Sequence, residues 1–286
     1  MNNTIKIWLD ISKSDLISSQ ILYKNGKYRN SYFLFQQAAE KANKAFALHC
    51  EILTEKELLK IQHDQTKIYR KTLVKQEKSI AETIELLKPF KDPNDLKIFS
   101  LQQFSNQHTE LKKSISFIDS LRNCDLVNFT TKDLNASLKQ IKGIRDFKIK
   151  LPKDFNNIME SQMLAMGEWI GQFDIDKAKS SKKEIQDFLR NKDESKRFFE
   201  LLKTTIYPLI FELMFINLTL YICAILTVQH SSLSRYPSDG INPESIYLKK
   251  LPIVRKQPEF MKLLMEVITR MEKITQTEKN VAQQCL

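Results

Sequence analysis

The chain has 286 residues, 42% hydrophobic and 28% charged, which excludes a disordered chain and leaves enough length to bury a core in one large domain or two modest ones. Five glycines are too few for the turns of a β-sandwich or the phosphate loops of Rossmann and P-loop domains. Lys and Arg number 45 against 34 Asp and Glu, a formal charge of +11, which favours polyanionic partners such as RNA, although lysines on solvated helix faces give the same excess.

The first apolar periodicity, Thr4 to Tyr23, predicts a helix closed by Lys24-Asn25-Gly26-Lys27, with Gly26 at a left-handed C-cap. A second helix from Tyr28 or Arg29 to Leu53 follows so closely that an antiparallel hairpin is expected. Amphipathic pieces at 55–61 and 65–87 are broken at His63-Asp64 and closed by Pro89 and Pro93. Helices are expected at 95–122, at 130–147 with Thr131 as cap, at 152–173 with Pro152 in its first turn, and at 176–189. A long apolar helix runs from Glu194 to about Ser234, turn chemistry fills 235–240, and a last helix starts near Pro258. No segment demands a strand.

Within the long helix, 204–228 has the length of a membrane span, but Pro208, Glu212 and Asn217 interrupt it. The expectation is a central helix buried on every side, in part by a dimer interface, and no membrane association. Cys50, Cys124, Cys223 and Cys285 are scattered, with no Cys-x-x-Cys and no zinc-ligand spacing, so neither a disulfide framework, a metal nor a cofactor is implied, and a reducing cytoplasm fits. The opening MNNTIKIWLD, with Asp10, does not read as a secretory signal. Phosphate-loop, nucleophile-elbow and zinc-protease motifs are missing, and the GxxxG from Gly167 to Gly171 lies in a polar helix where it carries no membrane meaning.

The informative stretch is 23–47, YKNGKYRNSYFLFQQAAEKANKAFA. Its alanines fall where another backbone must approach, while Gln37, Lys41 and Lys44 share one helix face and Gln36 and Glu40 the adjoining one. The pattern suits a shallow polar site between two helices, and equally an exposed ion-pairing face.

These residues resemble the HEPN domain (higher eukaryotes and prokaryotes nucleotide-binding). The resemblance rests on Asp15-Leu16 in the first helix, on Leu22, Tyr23, Gly26 and Tyr28 around the turn, and on the Gln-Ala-Ala-Glu-Lys-Ala-x-Lys-Ala run from Gln37 to Ala45. His63-Asp64 and Arg235-Tyr236-Pro237 complete it. It implies an all-α, HEPN-like up-down helical bundle made of 1–65 and 195–286, with a large helical insertion at 66–194. Implied partners are a second copy in a homodimer, a nucleotide or RNA, and a nucleotidyltransferase. The implied activity is metal-independent RNA cleavage in a toxin-antitoxin or defence system, where an Arg steadies phosphorane charge and a His moves the 2′-hydroxyl proton.

The family's Arg-x4-6-His order is absent, and the nearest pair, His230 and Arg235, is reversed. His230 is therefore either a satisfied histidine at the end of a buried helix or, with Arg235, the catalytic pair. Arg235, Tyr236, Lys41, Glu40, Asp15 and Gln37 form the expected ligand-binding set, with Glu40 and Arg235 walling one cleft. A non-catalytic interaction module is the alternative.

Overall fold

The computed structural model describes residues 3–61, 63–87, 101–122, 129–172, 176–228, 230, 234 and 242–284, and among the described residues there is no strand. The helices are α1 (Asn3–Lys24), α2 (Tyr28–His49), α3 (Glu55–Ile61), α4 (Thr66–Leu87), α5 (Leu101–Arg122), α6 (Thr131–Arg145), α7 (Phe155–Ile170), α8 (Asp176–Arg190), α9 (Lys192–Leu201), α10 (Tyr207–Val228), α11 (Pro243–Ile246) and α12 (Pro252–Gln284). The fold is all-α, as expected. Two compact units are present: one of Met1–Lys75, Lys113–Asp146 and Leu213–Leu286, the other of Gln76–Lys112 and Phe147–Glu212.

The first unit is organised by the α1–α2 hairpin. Gly26 takes φ +72°, which glycine adopts without Cβ strain, and the Lys27 amide closes back onto the Leu22 carbonyl at 2.9 Å. The helices then approach closely. The Ser12 hydroxyl donates to the Ala38 carbonyl at 2.7 Å, and Ser19 and Ser31 donate to each other's carbonyls at 2.7 and 2.8 Å. Such short hydroxyl-to-backbone bridges need small residues on the facing helix, supplied by the fully buried Ala38, Ala39, Ala42 and Ala45. The core adds Leu9, Leu16 and Phe35 to Phe215, Ile216 and Leu220 of α10 and Phe260, Leu264 and Val267 of α12, each burial stabilising by about 2 kcal/mol.

Three boundaries differ from the sequence reading. α2 stops at His49, because Glu51 adopts φ +52° and the Ile52 amide folds back to the Ala47 carbonyl. The cap of α6 is Thr130, which exchanges bonds with Asp133 in a capping box. α12 begins at Pro252 and carries Pro258 in its interior, so one amide-to-carbonyl bond is missing there. The expected helix starting at 95 and the turn at 235–240 lie in part or wholly outside the described residues.

The second unit contains a cluster of Phe155, Leu189 and Phe199, backed by Met159, Met163, Ile185 and Phe188. Gly167 sits where a Cβ would meet Ile185 Cγ2 at 3.4 Å, so this glycine serves α7–α8 packing inside the chain. The apolar stretch from Lys192 holds a π-helical turn, Leu202–Ile206, just before Pro208; the wider turn absorbs the bond that proline cannot donate. By length and composition Lys192–Val228 is long and apolar enough to cross a membrane, and 44% of its most apolar window is buried within the protein. Within the single chain Phe215, Ile216, Leu220, Cys223 and Ala224 are enclosed, whereas Ile210 and Met214 are exposed.

Candidate functional site

Two polar groups on α2 tie it to its neighbours. In the first, Lys41 Nζ donates to Asp15 Oδ2 at 2.7 Å and to Gln37 Oε1 at 3.2 Å, linking α2 to α1. Gln37 Nε2 in turn donates to Gln36 Oε1 at 3.0 Å, and the buried Gln36 Nε2 has no hydrogen-bond partner.

The second group surrounds Glu40, which is only 4% exposed. A carboxylate taken out of water must be paired, and Lys44 Nζ donates to its Oε1 at 2.8 Å from one turn further along the helix. His63 brings Nδ1 to 3.3 Å from both carboxylate oxygens. Trp8 of α1 closes the group, with Lys44 Nζ 5.1 Å from its ring centre.

Local signals place His63 there. Thr54 and Glu57 form reciprocal bonds that start α3, and Glu57 also pairs with Lys71, which holds its carboxyl down to about 2. Beyond α3, Asp64 accepts from the Thr66 amide at 3.1 Å and starts α4, leaving His63 on the connecting turn facing α2. The His63-Asp64 pair thus divides its work: one residue turns toward the Glu40 group and the other caps a helix.

A cavity of about 470 Å³ opens beside this group, lined by Trp8, Lys44, Glu55, Lys56, Leu58 and His63 among others. The opening thus carries an aromatic ring, two ammonium groups, an imidazole and the Glu55 carboxylate, with Lys44 already paired to Glu40 and lying over Trp8. Trp8 and Lys56 were not legible as site residues, since their juxtaposition depends on a hairpin and a short helix closing around each other.

His230 belongs elsewhere. It is 4% exposed, packs edge-on to Tyr32 at 5.0 Å between ring centres, and shares Nδ1 with the Tyr247 hydroxyl at 2.6 Å. Burial pushes its pKa down to about 4, so the ring is neutral at pH 7. It is a satisfied buried histidine, with a tyrosine hydroxyl rather than a helix carbonyl as partner. Tyr32 precedes Glu40 by eight residues, roughly 12 Å along the helix. The structure therefore brings together Asp15, Gln37 and Lys41, and separately Glu40, Lys44 and His63, but not His230 with Glu40. Arg29 reaches the Ser234 carbonyl at 3.2 Å, whereas Arg235 and Tyr236 lie outside the described residues. Among the described residues, no three His, Cys, Asp or Glu side chains gather where a metal ion could be held.

Among the described residues the fold is a strand-free helical bundle, with a cleft between its first helices lined by Trp8, Lys44, Glu55, Lys56 and His63. The sequence comparison adds that the family model of the HEPN domain matches residues 5–123, so this stretch is similar to that domain. The match takes in the α1–α2 hairpin, the 23–47 run and His63-Asp64, and does not extend to Arg235-Tyr236-Pro237. No curated protein and no solved structure matches the chain.

Proposed function

We propose that the chain binds a nucleotide or a segment of single-stranded RNA in the cleft between α1, α2 and α3. The observation that carries this reading is the gathering of Trp8, Lys44, Lys56 and His63 around one opening beside a buried carboxylate. A base packs against the Trp8 ring beside Lys44 and phosphate oxygens meet Lys56 and His63, while Glu40 fixes the direction of Lys44 and His63. Asp15, Lys41 and Gln37 hold α1 against α2 and so set the width of the cleft.

Two finer readings follow. In one, the chain is a non-cleaving cytoplasmic module that partners a nucleotidyltransferase. In the other, it is a metal-independent ribonuclease of a toxin-antitoxin or defence system, with His230 as base and Arg235 and Tyr236 at the phosphate. The burial of His230 favours the first, since a general base must come within about 3 Å of the proton it takes.

Fluorescence anisotropy with a short labelled single-stranded RNA tests the binding. Trp8→Ala and His63→Ala should each weaken it about tenfold, the loss expected of one stacked base or one charged contact. Undiminished binding by both variants overturns the reading. Cleavage of the same RNA in EDTA, abolished by His230→Ala in a protein of unchanged circular dichroism, would favour the ribonuclease.

A further inference from the structure

Of the carboxylates on α2 and α3 near the cleft, Glu40 is met by Lys44 and His63, and Glu57 by Thr54 and Lys71. Glu55 is different. It lines the cavity from the first turn of α3 and has no hydrogen-bond or ion-pair partner among the described residues. Lys56 lines the same cavity, but successive helical side chains point about 100° apart, so the two do not neutralise each other by direct contact. A carboxylate in a first helical turn is favoured by the helix dipole, yet Glu57 already completes that start through Thr54.

The surroundings of Glu55 are apolar. Leu59, one turn further on the same side of α3, is 82% exposed, the most exposed large apolar side chain among the described residues. It borders the cavity together with Trp8 of α1, and the volume of about 470 Å³ is that of a small-molecule site. A flat ring that covers Trp8 and Leu59 leaves its edge to meet the carboxylate.

A carboxylate accepts hydrogen bonds and gives none, so its two oxygens call for two adjacent donors on that edge. Among the four RNA bases guanine alone offers them, N1–H beside the 2-amino group. The amines of adenine and cytosine each sit next to a ring-nitrogen acceptor, and the N3–H of uracil lies between two carbonyl oxygens, so each of these sets an acceptor against a carboxylate oxygen. We propose that the cleft selects guanine, whose N1–H and 2-amino group donate to the two oxygens of Glu55. The phosphate then lies away from Glu55, toward Lys56 and His63. A guanidinium carries the same pair of donors, but an arginine side chain would add its charge to those of Lys44 and Lys56 and leave them no anion to meet, which favours the nucleotide. Guanine selection presupposes the nucleotide reading and adds the identity of the base.

Calorimetric titration of the full chain with GMP, IMP and AMP at one ionic strength tests it. GMP should bind at least about tenfold more tightly than AMP, and IMP, which keeps N1–H and lacks the 2-amino group, should fall between them. Glu55→Gln should abolish that preference without weakening AMP, because a carboxamide has one acceptor in place of two. Its circular dichroism should be unchanged, since position 55 is exposed. Trp8→Ala should weaken all three nucleotides alike, a loss belonging to the ring and not to its edge. Equal affinities for the three in the wild type, or a preference for GMP that survives Glu55→Gln, overturns guanine selection by Glu55 while the nucleotide reading stands. Tighter binding of N-acetylarginine amide than of GMP overturns it in favour of an arginine-bearing peptide. Binding of no nucleotide up to about 10 mM removes the nucleotide reading itself, and guanine selection with it.

Discussion

Glu40 and Lys44 are a buried pair, with side chains 5 and 10% exposed, and the loss of one member leaves the other charge without compensation. Glu40→Ala should destabilise the first unit by about 3 kcal/mol in urea unfolding, and a second change, Lys44→Met, should recover most of that loss because a well-packed apolar pair is about as stable as the ion pair. A double variant as unstable as Glu40→Ala would show that the carboxylate matters through something other than Lys44. His230 makes a prediction about pH. Its folded-state value, about 4, lies below the ordinary 6.5, so between these limits the unfolded chain binds a proton that the folded chain refuses, and stability falls as pH drops. The effect amounts to about 3 kcal/mol between pH 6.5 and 4, and is absent above pH 7. His230→Gln, which retains a hydrogen-bonding group for Tyr247 but does not titrate, should flatten that part of the curve of melting temperature against pH. An unchanged curve would mean that His230 is not the buried group responsible.

At the scale of the element, α12 contains its own defect. Pro258 is exposed, so it contributes little packing while removing one helical hydrogen bond. Pro258→Ala should raise stability by about 1–3 kcal/mol, read as a higher melting temperature; a fall would show that the ring holds a bend the core needs. In the second unit, Gly167→Leu should force α8 away from α7 at Ile185 and cost about 1–3 kcal/mol, while Gly167→Ala should be nearly silent. The α1–α2 hairpin is the element most fully legible in the sequence. The Gly26 turn, the helical periodicity and the alanine run each report a local requirement, and the serine-to-carbonyl bridges fulfil it. The start of α12 was not legible, because a proline six residues inside a helix carries the same local signal as a proline that opens one.

For the whole molecule, with an excess of 11 positive charges, the proposed binding of RNA should weaken as salt is raised, by about 0.7 log units per log unit of salt for each phosphate contacted. With two or three cationic groups at the cleft, the slope should lie near −1.5 to −2, and Lys56→Ala should reduce its magnitude by about 0.7. A flat salt profile would place the binding energy outside electrostatics. The sequence by itself determined the helical class, the opening hairpin, and the residues that resemble the HEPN domain, since composition, periodicity and small-residue spacing act within a few turns of chain. Only the tertiary structure decided that His63 meets Glu40 across 23 positions and that His230 is enclosed by Tyr32 and Tyr247. It also separated those two sites along α2. Burial and hydrogen-bond partnership are properties of surroundings assembled from distant segments, and no local pattern encodes which distant side chain will arrive.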